Sequence, residues 1–134
     1  RLSLNLNNLY DELNGGSYRP MPYYCFMVHE PKQRLIYAPA FRDLVVQHAI
    51  YAVANPIFDP TFIDQSFACR LGLGTHKAAD YAQTALRAAP KNSYTLKTDV
   101  RKFFYRIDRE VLRRLIELKI KDNHFVDVMM QFTN

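Results

Sequence analysis

Cysteine is scarce in this 134-residue chain, and the two present, Cys25 and Cys69, stand in no CxxC or Cys/His ligand spacing. Their placement argues against a disulfide framework or a zinc site and leaves the expectation of two reduced, buried thiols. No run approaches the roughly 18 to 20 apolar residues that a bilayer-crossing helix needs, so no membrane partner is expected. The opening RLSLNLNNLYDELNGG has neither an initiator methionine nor a signal-peptide pattern. It sets the expectation of a cytoplasmic protein and of a piece of something longer. Internal repeats, low-complexity tracts and adjacent aspartates are all missing, and Gly15-Gly16 is the only glycine pair.

What the chain does have is the composition of a globular domain, 49% hydrophobic with 23% charged residues. The net charge of +5 is unevenly spread. Residues 1–90 carry 8 basic and 7 acidic side chains, residues 91–121 carry 10 and 4, and residues 122–134 carry none and 2. A basic segment is most often a solvated helix face, but this density also suits a polyphosphate or nucleic-acid partner.

Apolar spacing predicts a helix over 4–13, and two β-rich runs at 23–30 and 33–39 predict an antiparallel hairpin. Phe41, Leu44, Val45, His48, Ala49, Ala52 and Val53 fall at helical steps, with Pro56 expected to stop the pattern. A turn-rich link leads to Thr75, a candidate cap for a helix buried through Ala78, Ala79, Ala82, Leu86 and Ala89. SYTLKTD, at 93–99, is a strand candidate. Asp108 is a plausible N-cap for the helix after it, and 124–132 forms a last helix. The order is that of an α+β protein.

The stretch KTDVRKFFYRID raises a chemical question, because Asp99 would end a buried strand where an unpaired charge costs several kcal/mol. Either Lys97 or Arg101 neutralises it, or it holds a cation; a carboxylate beside backbone carbonyls suits Mg²⁺. For Phe104 to stand near the same cation, the chain must turn after Asp99, since strict strand alternation puts the two on opposite faces. Lys32 and Arg34 flank the hairpin turn, where lysine often guards a sheet edge and where a triphosphate-binding pair would look the same. Gly72 and Gly74 lead into a helix but lack the P-loop Lys-Ser/Thr. His48 and His76 are not at metal-ligand spacing.

Together these words are a resemblance. EPKQRLIYAPAFRDLVVQHA, PIFDPTF, SFACRLGLGTHKA and TDVRKFFYRID occur in the order found in bacterial reverse transcriptases, the group of retron, group II intron and diversity-generating retroelement enzymes. The wording EPKQRLI, FRDLVVQHA and GTHKA resembles the last subgroup most. The resemblance covers residues 23–122 and implies a helical lead-in (1–22), fingers built on helices and a β-hairpin (23–92), and the first strand and helix of a polymerase palm (93–134).

The resemblance also implies roles. Asp99 is matched to the first catalytic, metal-binding aspartate, with the backbone carbonyl of Val100 as a further ligand. Phe104 is matched to the aromatic gate that excludes a 2′-hydroxyl. Lys32 and Arg34 are matched to triphosphate contacts, and Arg42, Arg70 and His76 to contacts with template or incoming nucleotide. Two Mg²⁺ ions, an RNA template, a DNA primer, deoxynucleoside triphosphates and an accessory protein are the implied partners. The family's second aspartate box has no counterpart in these residues, and Leu73 stands where many relatives carry a base. The expectation is therefore a reverse transcriptase fragment that is inactive alone, with a non-catalytic nucleic-acid-binding module as the alternative.

Overall fold

The computed structural model describes residues 2–133. The elements are α1 (Leu2–Asn14), β1 (Tyr24–Val28), β2 (Arg34–Ala38), α2 (Phe41–Phe58), α3 (Thr75–Ala88), α4 (Arg109–Glu117) and α5 (Asn123–Met130), with short 3₁₀ turns at Asp59–Thr61, Phe103–Arg106 and Gln131–Thr133. The strands pair antiparallel with Tyr24 opposite Ala38 and Phe26 opposite Ile36. Helices and one antiparallel hairpin make an α+β arrangement. None of the described helices is long and apolar enough to cross a membrane.

The chain divides into two compact units, one formed by residues through Asn55 with those from Asp108 on, the other by Pro56–Ile107. The first unit holds the core. Leu9 of α1, Tyr18, Val46 of α2 and Val128 of α5 are buried against one another, with Leu13, Val45, Ile50 and Phe132 packed around them. Tyr18 and Phe132 meet at 6.1 Å between ring centroids. Ile116 of α4, Ile120 just after it and Val126 of α5 are also buried. Those two helices are capped alike: Asp108 accepts from the Val111 amide at 3.0 Å and Asp122 from the Phe125 amide at 3.0 Å. Each cap satisfies one amide that a helix start leaves unpaired.

The second unit has no fully buried side chain among its described residues. Its loop is organised by Arg70, whose guanidinium donates to the Asp59 carboxylate at 2.8 Å and to the carbonyls of Ile63 at 3.2 Å and Ser66 at 3.1 Å. Phe67 packs on Tyr81 of α3 at 5.6 Å.

Several expectations from the sequence need correction. Residues 93–99 form no strand; a strand needs a partner for its amides and carbonyls, and the only described sheet is the hairpin. α3 buries none of its residues, and Leu86 is 60% exposed. Its N-cap is Gly74, not Thr75. Gly74 adopts φ +106°, a backbone that glycine takes without a side-chain penalty, and Thr75 is already the first helical residue. Pro56 lies inside α2; so close to the end, its missing amide forfeits one helical bond and the helix continues to Phe58. The buried stripe of α2 is Asp43 and Val46, whereas Phe41 and Val53 are exposed. This helix is apolar nearly all round, so spacing alone does not select its inner face. Cys25 and Cys69 are free thiols as expected, but both are exposed.

Candidate functional site

Asp99 is exposed and lies in a stretch without regular secondary structure. The cost of a buried charge, which made this residue conspicuous in the sequence, is therefore not incurred. Nor is Asp99 neutralised locally: among the described residues no ion pair joins it to Lys97 or Arg101. Directly after it the chain turns. Lys102 adopts the left-handed conformation at φ 53° and ψ 43°, and Phe103–Arg106 form one 3₁₀ turn. A non-glycine residue in that region carries roughly 1 kcal/mol or more of backbone strain. Phe104 is 83% exposed, and Phe103 packs edge-on against it at 5.3 Å. Asp99, Val100 and Phe104 thus share one exposed segment with a turn between them.

As a donor set, the Asp99 carboxylate and the Val100 carbonyl are hard oxygen ligands of the kind Mg²⁺ takes, with water and phosphate oxygens filling its other positions. The described residues contain no cluster of three or more His, Cys, Asp or Glu side chains that would hold a metal without such outside ligands. His76 is exposed in the first turn of α3. Arg70 belongs to the same unit, but its guanidinium is engaged by the loop it organises and lies 5.8 Å from the Phe62 ring centroid.

The hairpin carries the other candidates. Arg34 opens β2 opposite Val28, and Lys32 sits in the connecting turn. Both side chains are exposed. Arg42, one residue into α2, is held instead within its own unit. It forms an ion pair with Glu12 of α1, and its guanidinium carbon lies 5.3 Å from the centroid of the Tyr18 ring. Its Nε is buried without a hydrogen-bond partner, 3.7 Å from the Asp43 carboxylate.

Asp43 is the residue that sequence reading missed. It is 1% exposed, and both of its oxygens accept: Oδ1 from the Tyr18 hydroxyl at 2.6 Å and Oδ2 from the Met21 amide at 2.9 Å. Hydrogen bonds to an ionised group contribute about 1.5–3 kcal/mol each, and deleting one partner strands a buried polar atom. Burial, and then the bond to Asp43, push the Tyr18 phenol well above its ordinary value, so at neutral pH it remains a donor. The only sequence signal for this pair was a charged residue inside an apolar helical pattern; its partner lies 25 positions away.

No family model matches the chain. It is similar over nearly its whole length to two curated proteins from bacteria. Protein YkfC of Escherichia coli (strain K12) is 27% identical over 96% of this chain and 35% of its own length. The group II intron-encoded protein LtrA of Lactococcus lactis subsp. cremoris is 28% identical over 95% of this chain and 21% of its own length. LtrA of strain MG1363 matches equally. The chain thus spans about a third of one relative and a fifth of the other. It is distantly related to a protein encoded by a group II intron.

Proposed function

We propose that the chain is part of an RNA-directed DNA polymerase of the reverse transcriptase type, supplying its first metal-binding carboxylate and part of its nucleotide-binding surface. The observation that carries this reading is the Asp99 segment: an exposed carboxylate without an ion-pair partner among the described residues, a left-handed turn at Lys102 and an exposed Phe104, in the sequence context TDVRKFF. The similarity to an intron-encoded protein over 95% of the chain, a span that includes these motifs, agrees with it.

In this reading Asp99 and the Val100 carbonyl would hold Mg²⁺, which when bound supplies charge neutralisation at the reacting phosphate. Lys32 and Arg34 offset triphosphate charge, and the Phe104 ring closes the space beside the sugar's 2′ position. The corresponding fingers and palm boundaries are 23–92 and 93–134. With one carboxylate of the set needed, the chain alone performs no synthesis.

The test is primer extension on an RNA template by the longer protein that carries these residues. Asp99→Ala should reduce extension by at least about 10³-fold, in the range expected when a principal source of electrostatic transition-state stabilisation is removed. Phe104→Ala should keep extension but admit ribonucleotides. Near-normal synthesis by the Asp99 variant would refute the metal role, and unchanged sugar selectivity would refute the gate.

A further inference from the structure

We infer that Asp43 is a positioning residue that clasps the β1–β2 hairpin at its base and thereby sets the affinity for a nucleoside triphosphate at the hairpin turn. The affinity half of this inference rests on the proposed reading of Lys32 and Arg34 as triphosphate contacts; the clasp itself stands on geometry. Met21 lies three residues before β1, and Asp43 lies five residues after β2 ends at Ala38. The bond from the Met21 amide to Asp43 Oδ2, 2.9 Å, therefore joins the chain entering the hairpin to the chain leaving it. Tyr18, 1% exposed and bonded to the other oxygen at 2.6 Å, anchors the same carboxylate in the core among Leu9, Val46 and Val128.

Beyond this base the hairpin has little to hold its direction. Tyr24 is 72% exposed, Met27 50%, Leu35 48% and Tyr37 52%, so side chains on both faces of the ribbon are open to solvent. Lys32 sits at the far end, about 17 Å from the base for a five-residue strand. A tilt of roughly 10° at the base moves that end by about 3 Å, enough to break a charge-assisted hydrogen bond whose useful range is a few tenths of an ångström. Small changes at a buried carboxylate are thus amplified at the two cations. The acid also lies 3.7 Å from the buried Arg42 Nε, but both of its hydrogen bonds are accepted from the segment preceding the hairpin. A helix-start carboxylate that only complements the helix dipole is satisfied at the surface, whereas this one is buried.

The experiment uses the 134-residue chain, with hydrogen exchange followed by mass spectrometry over residues 21–40 and titration with dTTP and magnesium. Tyr18→Phe and Asp43→Asn should each accelerate hairpin exchange by roughly tenfold or more and weaken dTTP binding several-fold, with Asp43→Ala weaker still because asparagine keeps an acceptor for Met21. Ile116→Ala, a cavity variant in α4 outside the Tyr18 cluster, should lower the melting temperature while leaving dTTP affinity unchanged. Unchanged hairpin exchange in both Tyr18→Phe and Asp43→Asn overturns the clasp. Loosened exchange with wild-type affinity, or an equal loss of affinity in Ile116→Ala, overturns the positioning role. Lys32→Ala in the otherwise unaltered chain separates the two readings: if it leaves dTTP binding unchanged, the triphosphate contact itself is wrong, and the exchange data still judge the clasp.

Discussion

Asp108 and Asp43 are two acids at helix starts with opposite surroundings, and the contrast shows what a residue's local sequence can determine. Asp108 precedes REVLRRLIELK, and its role as a cap follows from neighbours within one helical turn; the side chain bonds the Val111 amide at 3.0 Å as that pattern requires. Asp108→Ala should cost about 1 kcal/mol of stability, read as a lower denaturation midpoint with unchanged slope, while Asp108→Ser should recover most of it. A serine variant no better than alanine would show that the aspartate acts through something other than capping. Asp43 is different. Its burial depends on Tyr18 and Met21, contributed by a segment on the far side of the hairpin, and no periodicity in α2 signals that encounter. Asp99 erred in the other direction: alternation in SYTLKTD implied a buried end, but the side chain is exposed, and among the described residues no strand lies beside it.

Elements whose hydrogen bonds are local were legible. The hairpin, α1, α2, α4 and the last helix all fall close to where spacing and turn residues place them. Elements whose identity depends on a distant neighbour were not, and the 93–99 segment and the inner faces of α2 and α3 are examples. The loop between α2 and α3 shows how an irregular stretch is held without a core. Arg70 donates to Asp59, Ile63 and Ser66, so one guanidinium fixes both ends of the turn-rich link. The resemblance matched this residue to a nucleic-acid contact, and the geometry gives it a second occupation as the brace of residues 59–70. Arg70→Lys keeps the charge but loses the planar fork that reaches several acceptors at once. It should speed limited proteolysis within 59–70 by roughly tenfold, while leaving cleavage in the first unit unchanged. Equal protection in both proteins would mean that the loop is ordered without the fork.

At the scale of the whole molecule, the question is whether the basic excess of residues 91–121 is solvation or a partner's footprint. The structure divides it. Arg113 bridges Glu117 and Asp127 at 2.7 and 2.6 Å, and Arg114 reaches Glu110 at 3.4 Å, so part of the charge on α4 is spent within its own unit. Lys91, Lys97, Arg101, Lys102 and Arg106 have no carboxylate partner among the described residues, and they alternate with exposed Tyr94, Phe103, Phe104 and Tyr105. Unpaired bases beside open aromatic rings suit single-stranded nucleic acid, where phosphates take the charge and bases take the rings. A solvated surface would not show the same salt response. If about four of these bases meet phosphates, the logarithm of the RNA-binding constant should fall against the logarithm of salt with a slope near −3, from about 0.7 per phosphate on a single strand. Lys97→Ala with Arg101→Ala should reduce that slope by about 1.4. Tyr94→Ala should weaken binding at every salt concentration without changing the slope, since stacking releases no counterions. A wild-type slope near zero would assign the charge to solvation, and a steep slope unaffected by the double variant would place the nucleic acid on another surface of the chain.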